Sequence, residues 1–267
     1  MNPASATKKS DSIKPNQIKL MKTTPSIHLK RWSLVLAVLA LAIPAARAEI
    51  DPAARALAEA VAAKLAGAQT IQLTAKHKIA AAIGSNVKLD NGPLEITVKR
   101  PNQCHVMQPA GNETRELSYD GKTFCLMLPA LKLHAIEALK AGNIEQFADA
   151  MDERFGFRPP VAELLAADMP KQLFLNVTSA KVTGTEWVGW TRCDRLHFEQ
   201  AGMTGDLWVG KKDKLPRRYL LTFTGISGHP TWDIRLTEWK LNPSVSESLF
   251  TKRPSSDSQP VPLLKNR

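Results

Sequence analysis

The residues able to do chemistry in this 267-residue chain are few and scattered. Five histidines follow residue 48: His77, His105, His134, His197 and His229. No two stand at the H-x-x-x-H or H-x-H spacing that brings two imidazoles to one metal, so a zinc site would have to be assembled from distant segments. Asp149, Asp152 and Glu153 are close together, but on the polar flank of a helical pattern. Acid–base catalysis needs two carboxylates facing across a cleft with separated pKa values, and a solvated helix flank does not provide that. Nucleophile elbows, phosphate loops and dinucleotide fingerprints are missing from the sequence. The glycine pairs Gly202/Gly205 and Gly225/Gly228 lie between strand patterns with no helix behind them, so they read as turns. The expectation is a non-enzymatic chain with no cofactor and no metal.

Cys104, Cys125 and Cys193 lack the C-x-x-C spacing of a redox site. An odd count leaves one thiol over, or pairs it between chains. Cys104 and Cys125 fall in nearby strand patterns and form the candidate disulfide.

The elements that would position these groups follow from periodicity. Asp51-Pro52 opens a helix over 52–66, with the carboxylate as cap and proline in the first turn. Leu57, Val61 and Leu65 then recur every four residues, and Gly67 stops the run. From Thr70 the period becomes two, predicting strands near 70–76 and 87–99, with a bend at 91–93. Asp120-Gly121 is a hairpin turn between strand patterns at 113–119 and 122–128. Residues 131–167 are expected to be helical in two or three pieces, with an Asn143/Gln146 capping box and a linker at 157–160. Strands follow at about 172–187, 191–200, 204–210, 216–225 and 231–240. Their short loops favour antiparallel neighbours over crossover connections.

About ten strands in two blocks, with helices before and between them, predict an α+β fold. An antiparallel sheet of this size must bury one face, and the helices are its natural filler, so a strongly curved sheet wrapped around helices is expected.

The N-terminus carries an address. Residues 32–43 (WSLVLAVLALAI) form an apolar run of twelve, too short for the roughly 20 residues that span a bilayer. Lys30-Arg31 precede it and Ala46-Arg47-Ala48 follows, the three-part pattern of a cleaved secretory signal. Residues 1–48 are therefore an N-terminal extension plus signal peptide, with Met21 the expected start, 49–254 a single domain and 255–267 a polar, proline-rich flexible tail. No cysteine follows the apolar run, so neither lipid attachment nor a permanent membrane anchor is expected. The extension and signal hold eight Lys or Arg and one acidic residue, so +7 of the formal +11 leaves with them. The mature chain is near +4, which removes the case for a nucleic-acid partner.

Several segments carry a resemblance: DPAARALAEAVAAKLAGAQTIQL at 51–73, VKRPNQCHV at 98–106, YDGKTFCLMLP at 119–129 and FGFRPPVAELLAAD at 155–168. GWTRCDRLHFEQ at 189–200, the run over 206–223 and WKLNPSVSESLF at 239–250 continue it in order. The chain resembles the DUF2092 family of predicted periplasmic proteins, itself similar in build to the LolA-like and LppX-like lipoprotein carriers. The resemblance implies a half-open β-barrel of the LolA-like kind closed over helices, located in the periplasm of a Gram-negative bacterium. It implies a binding or carrier protein for a lipid-like or other apolar ligand, with lipid or lipoprotein acyl chains as partners. The alternative is a non-enzymatic envelope scaffold with a packed core and an envelope protein as partner. A carrier would line an apolar cavity of at least ~300 Å³; the candidates are Leu73, Met107, Phe147, Met151, Trp208, Phe223 and Trp232.

Overall fold

The structure is a computed structural model that describes residues 48–80, 93–110, 113–156, 159 and 161–263. The expected signal segment lies outside these residues except for Ala48, as do the 91–93 bend except for Pro93 and the 157–160 linker except for Pro159. The described residues form one compact unit.

Strand β1 (Glu49–Ile50) leads into helix α1 (Pro52–Ala66). Asp51 caps it, accepting a 2.7 Å bond from the Ala53 amide, and the Gly67 amide closes the far end on the Leu65 carbonyl. Leu57, Val61 and Leu65 form the buried stripe, with Ala54 and Ala58 between them. Each buried Leu or Val contributes about 1.5–3 kcal/mol through removal of apolar surface from water.

A meander of six strands follows: β2 (Thr70–Ile79), β3 (Pro93–Lys99), β4 (Gln103–Ala110), β5 (Glu113–Tyr119), β6 (Thr123–Leu128) and β7 (Leu133–Ala138). Asp120 holds the β5–β6 turn, accepting from the amides of Lys122 and Thr123 at 2.9 and 2.8 Å. Helices α2 (Ile144–Phe155), α3 (Ala162–Leu165) and α4 (Met169–Leu173) come next. Asn143 caps α2 at the Gln146 amide, 2.8 Å, and the Gln146 side chain returns to the Gly142 amide. The second block is β8 (Val177–Val188), β9 (Thr191–Gln200), β10 (Met203–Gly210), β11 (Pro216–Thr222) and β12 (Thr231–Leu241), and β13 (Gln259–Pro260) is the last described element.

The thirteen strands of the described residues form a single sheet, in the order β1-β8-β9-β10-β11-β12-β2-β3-β4-β5-β6-β7-β13. The two blocks meet where β12 lies antiparallel to β2, with Leu236 opposite Ala75. The helices pack in a chain, α1 on α4, α4 on α3 and α3 on α2, with α1 also against β8. One sheet face, called inner here, joins them in a continuous apolar core.

The fold is α+β, but the strongly curved antiparallel half-barrel is corrected. The sheet is mixed, since β1 runs parallel to β8 and β13 parallel to β7. It is also open: its order begins and ends on different strands, and it neither closes into a barrel nor curls strongly. Short terminal segments extend both edges, and the helices need only one face to bury their stripes. Residues 133–138, expected to be helical, are strand β7. Their weak periodicity gave way to pairing with β6, Ala135 opposite Leu126.

The segment expected to be a loose tail carries β13. Gln259 and Val261 donate to the carbonyls of Lys132 and His134, both at 2.7 Å, and the Ser258 hydroxyl lies 2.9 Å from His134 Nδ1. Backbone pairing holds this polar segment where apolar burial would not.

Candidate functional site

Cross-strand register sorts the candidate residues by face, because alternate residues point to opposite sides and paired residues share one. On the inner face, Leu73, Ile96, Val106, Leu117, Leu126 and Ala135 form one row. Leu73 is buried there, as are Phe147 and Met151 of α2. Phe223 and Trp232 pack against the same core while keeping some exposure. Met107 and Trp208 lie on the outer face. Met107 pairs with Glu116, and Trp208 pairs with Arg195 and Arg218. Five of the seven candidates therefore share one cluster and two do not.

The inner space between sheet and α2 is filled. Tyr119 stacks on Phe147 with ring centroids 4.0 Å apart, and Phe124 meets Phe155 edge-on at 5.5 Å. The Tyr119 hydroxyl donates to the Leu139 carbonyl and accepts from the Ala141 amide, which ties the core to the segment entering α2. Burial pushes this phenol up to about 12. Farther along, Glu163 of α3 adds to the burial that raises the Tyr219 phenol well above its ordinary value.

At the end of the inner face near Trp232 the packing leaves polar atoms unpaired. His77 is buried, and burial lowers its pKa, which keeps the ring neutral. Gln108 Nε2 lies 3.0 Å from His77 Nε2, so the imidazole proton is carried on Nδ1. That Nδ1 and the indole Nε1 of Trp232, its edge-on neighbour at 6.5 Å, are buried without a hydrogen-bond partner among the described residues.

Two open concavities lie among the described residues. One of about 540 Å³ lies between α1 and α4, lined by Arg55, Glu59, Asp168, Lys171 and Phe174 among others. The other, about 620 Å³, lies beside the 244–252 segment and Gln72. Both have substantially polar walls, and none of the seven candidates lines either.

The outer face carries charge networks that the sequence reading missed. Asp206, 6% exposed, accepts from Arg195 Nε at 2.8 Å and lies 2.9 Å from His197 Nδ1. Arg195 and Arg218 lie over the two sides of the Trp208 environment, 5.2 and 4.6 Å from its ring centroid. The Trp208 indole donates to Glu186 at 2.9 Å, and Arg218 grips Asp233 with two bonds. On the other half, Glu116 lies 2.7 Å from His105 Nε2 and 2.6 Å from Lys252 Nζ. Burial alone would raise the Glu116 carboxyl, but its bonds to Lys252 and His105 outweigh this and hold it below the ordinary value. For the Asp206 network the sequence signal was strand parity, Arg195 and His197 standing two places apart; the Glu116 network had none, because His105 and Glu116 meet only through the β4–β5 register.

These networks hold histidine–carboxylate pairs but offer no activated nucleophile. The Ser118 hydroxyl near Glu116 is spent on the Lys252 carbonyl at 2.7 Å, and burial raises the Cys125 thiol. Among the described residues no group of three or more His, Cys, Asp or Glu could hold a metal ion. Cys104, Cys125 and Cys193 are free and buried. The candidate disulfide partners point to opposite faces: Cys104 pairs across the ladder with Tyr119, and Cys125 with Ser118. A strand's thickness separates them, so no bridge joins them.

One surface feature stands apart. At the β8–β9 hairpin, Trp187 is 68% exposed and Trp190 is 99% exposed.

The chain is thus a helix-backed open-sheet protein, and no helix among its described residues is long and apolar enough to cross a membrane. It belongs to the DUF2092 family, described as predicted periplasmic proteins, which matches residues 54–264. No curated protein matches it. Among solved structures it is similar to the lipoprotein LppX of Mycobacterium tuberculosis at 12% identity, TM-score 0.46, covering 73% of this chain and 98% of that one. It is similar to an uncharacterized conserved protein from Thermus thermophilus at 13% identity, TM-score 0.47, covering 78% and 98%. The Pseudomonas aeruginosa MucA/MucB complex is matched at 14% identity, TM-score 0.44, covering 78% and 63%.

Proposed function

We propose that the chain is exported across the inner membrane of a Gram-negative cell by the 1–48 segment, and that the mature protein is a non-enzymatic envelope interaction module. The carrying observation is the filled interior. Phe147, Met151 and Leu73 are each at most 4% exposed and belong to one continuous core, so their side chains are committed to that core. A protein of this kind acts through its surface, where exposed apolar side chains mark contact sites. The test is lipid extraction and mass spectrometry of protein purified from its natural host, with uptake of a fluorescent fatty acid. The expected result is no stoichiometric lipid and no uptake; a co-purified acyl lipid would sink the module role.

A carrier role for a lipid-like ligand is favoured by one observation, the ring N–H groups of His77 and Trp232, buried with no hydrogen-bond partner among the described residues. Each buried unpaired donor costs about 1–3 kcal/mol, and an acceptor oxygen on a bound ligand would remove that cost. Leu73, Phe147, Met151, Phe223 and Trp232 would then flank the ligand as the inner-face cluster opens. Under this role the extraction would recover lipid, and His77→Phe would lower the recovery.

A further inference from the structure

We infer that the end of the sheet bearing the β8–β9 turn is a docking tip for an anionic lipid surface. The inference concerns the exterior and goes beyond the module role, since it holds for either state of the interior.

The turn is two residues long, because Val188 and Thr191 pair directly. Gly189, at φ 57°, makes the tight reversal without a Cβ penalty and projects Trp190 into solvent. Trp187 lies one pair back, beside the exposed Arg192. The next turn, 211–214, sits alongside: the Lys211 amide donates to the Arg192 carbonyl at 3.0 Å, and Lys214 closes the turn onto Gly210. Two exposed indoles therefore share one end of the sheet with Arg192, Lys211, Lys212 and Lys214. The nearby acids are already engaged. Lys211 pairs with Asp194 at 3.0 Å, Arg217 pairs with Asp213, and Glu186 takes Arg195 and Trp208. Arg192 and Lys212 have no ion-pair partner among the described residues, so the tip is positive.

Exposing a whole indole forgoes the burial of roughly 150–250 Å² of ring surface. A protein interface would enclose it within about 800 Å² of complementary surface per partner. Here Trp190 stands on a two-residue turn with Trp187 as its exposed apolar companion on the hairpin, and two indoles do not make a patch of that size. A bilayer interface needs no patch. Each indole partitions singly at the headgroup level, and each nearby cation adds its own attraction to anionic lipid.

The test is flotation of the soluble protein with vesicles of phosphatidylcholine, and with vesicles in which one quarter is replaced by phosphatidylglycerol. Binding is expected to the anionic vesicles only, falling as salt rises above ~0.15 M, where the Debye length is already ~8 Å. Trp190→Ala should lower binding about tenfold, and Lys212→Glu about fivefold or more, the amount lost per surface cation. Thermal midpoints of both variants should match the parent, since neither side chain is packed. Tryptophan fluorescence of the parent should shift to the blue on binding, and Trp187→Phe/Trp190→Phe should abolish that shift. Absence of binding to anionic vesicles would overturn the inference, as would unaltered binding by Trp190→Ala. Capture of an acidic protein without vesicle binding would overturn it too. Lipid extraction from the interior is independent of all these results, so either conclusion can fail alone.

Discussion

The guanidinium of Arg218 lies 4.6 Å from the ring centroid of Trp208 and is held there by a two-bond grip on Asp233. This contact explains how a tryptophan on the outer face of the sheet becomes 97% covered: cations and their apolar stems lie over it. Trp208→Ala should cost about 3–5 kcal/mol in urea unfolding. Arg218→Ala should cost about 1–2 kcal/mol, because it removes the stacked cation and leaves Asp233 without its partner.

The Glu116 carboxyl works in one direction with pH. Its folded pKa lies below its unfolded value, so its contribution is present above the unfolded value and is lost as pH falls through the folded one. Stability should therefore decline as pH drops below the ordinary carboxylate range of ~4.3. Glu116→Gln should flatten this acid limb and cost about 1–3 kcal/mol at neutral pH. The low end is expected, because the Lys252 side chain is 50% exposed and solvent screens its charge. Denaturation midpoints of both proteins across acid pH measure it; parallel curves would exclude this role for Glu116.

Gly205 pairs with Phe198 across β10 and β9, and a Cβ at position 205 would collide with the phenyl ring. The absent side chain lets the ring lie over the strand within the core. Gly205→Ala should destabilise by about 1–3 kcal/mol or more through overpacking. Phe198→Leu in the same background should restore part of that loss, and a double-mutant cycle by urea unfolding would reveal the coupling.

All three thiols should be silent toward a thiol reagent in the folded protein and titrate together on unfolding. Burial pushes Cys104 up to about 12 and also raises Cys125 and Cys193, so little thiolate forms near neutrality. Counting thiols in denaturant without reductant should find all three. A missing pair would show that Cys104 and Cys125 are bridged after all.

Where a signal is local, the linear chain already determined the outcome. Asp51-Pro52 and the Leu57/Val61/Leu65 spacing specify α1, Asp120-Gly121 specifies its hairpin, and Asn143 with Gln146 specifies the start of α2. Alternation also sufficed for β9 to β12, and the ordered segments identify the family. Tertiary structure alone decided which residues meet. Met107 and Leu73 differ in face because their strands are joined through β3 in a particular register, which no local pattern encodes. The same register sets Cys104 and Cys125 back to back, makes 133–138 an extra strand, and lets β13 return to β7 from over a hundred residues away. These outcomes depend on pairing energies between distant segments, and those exist only once the sheet has formed.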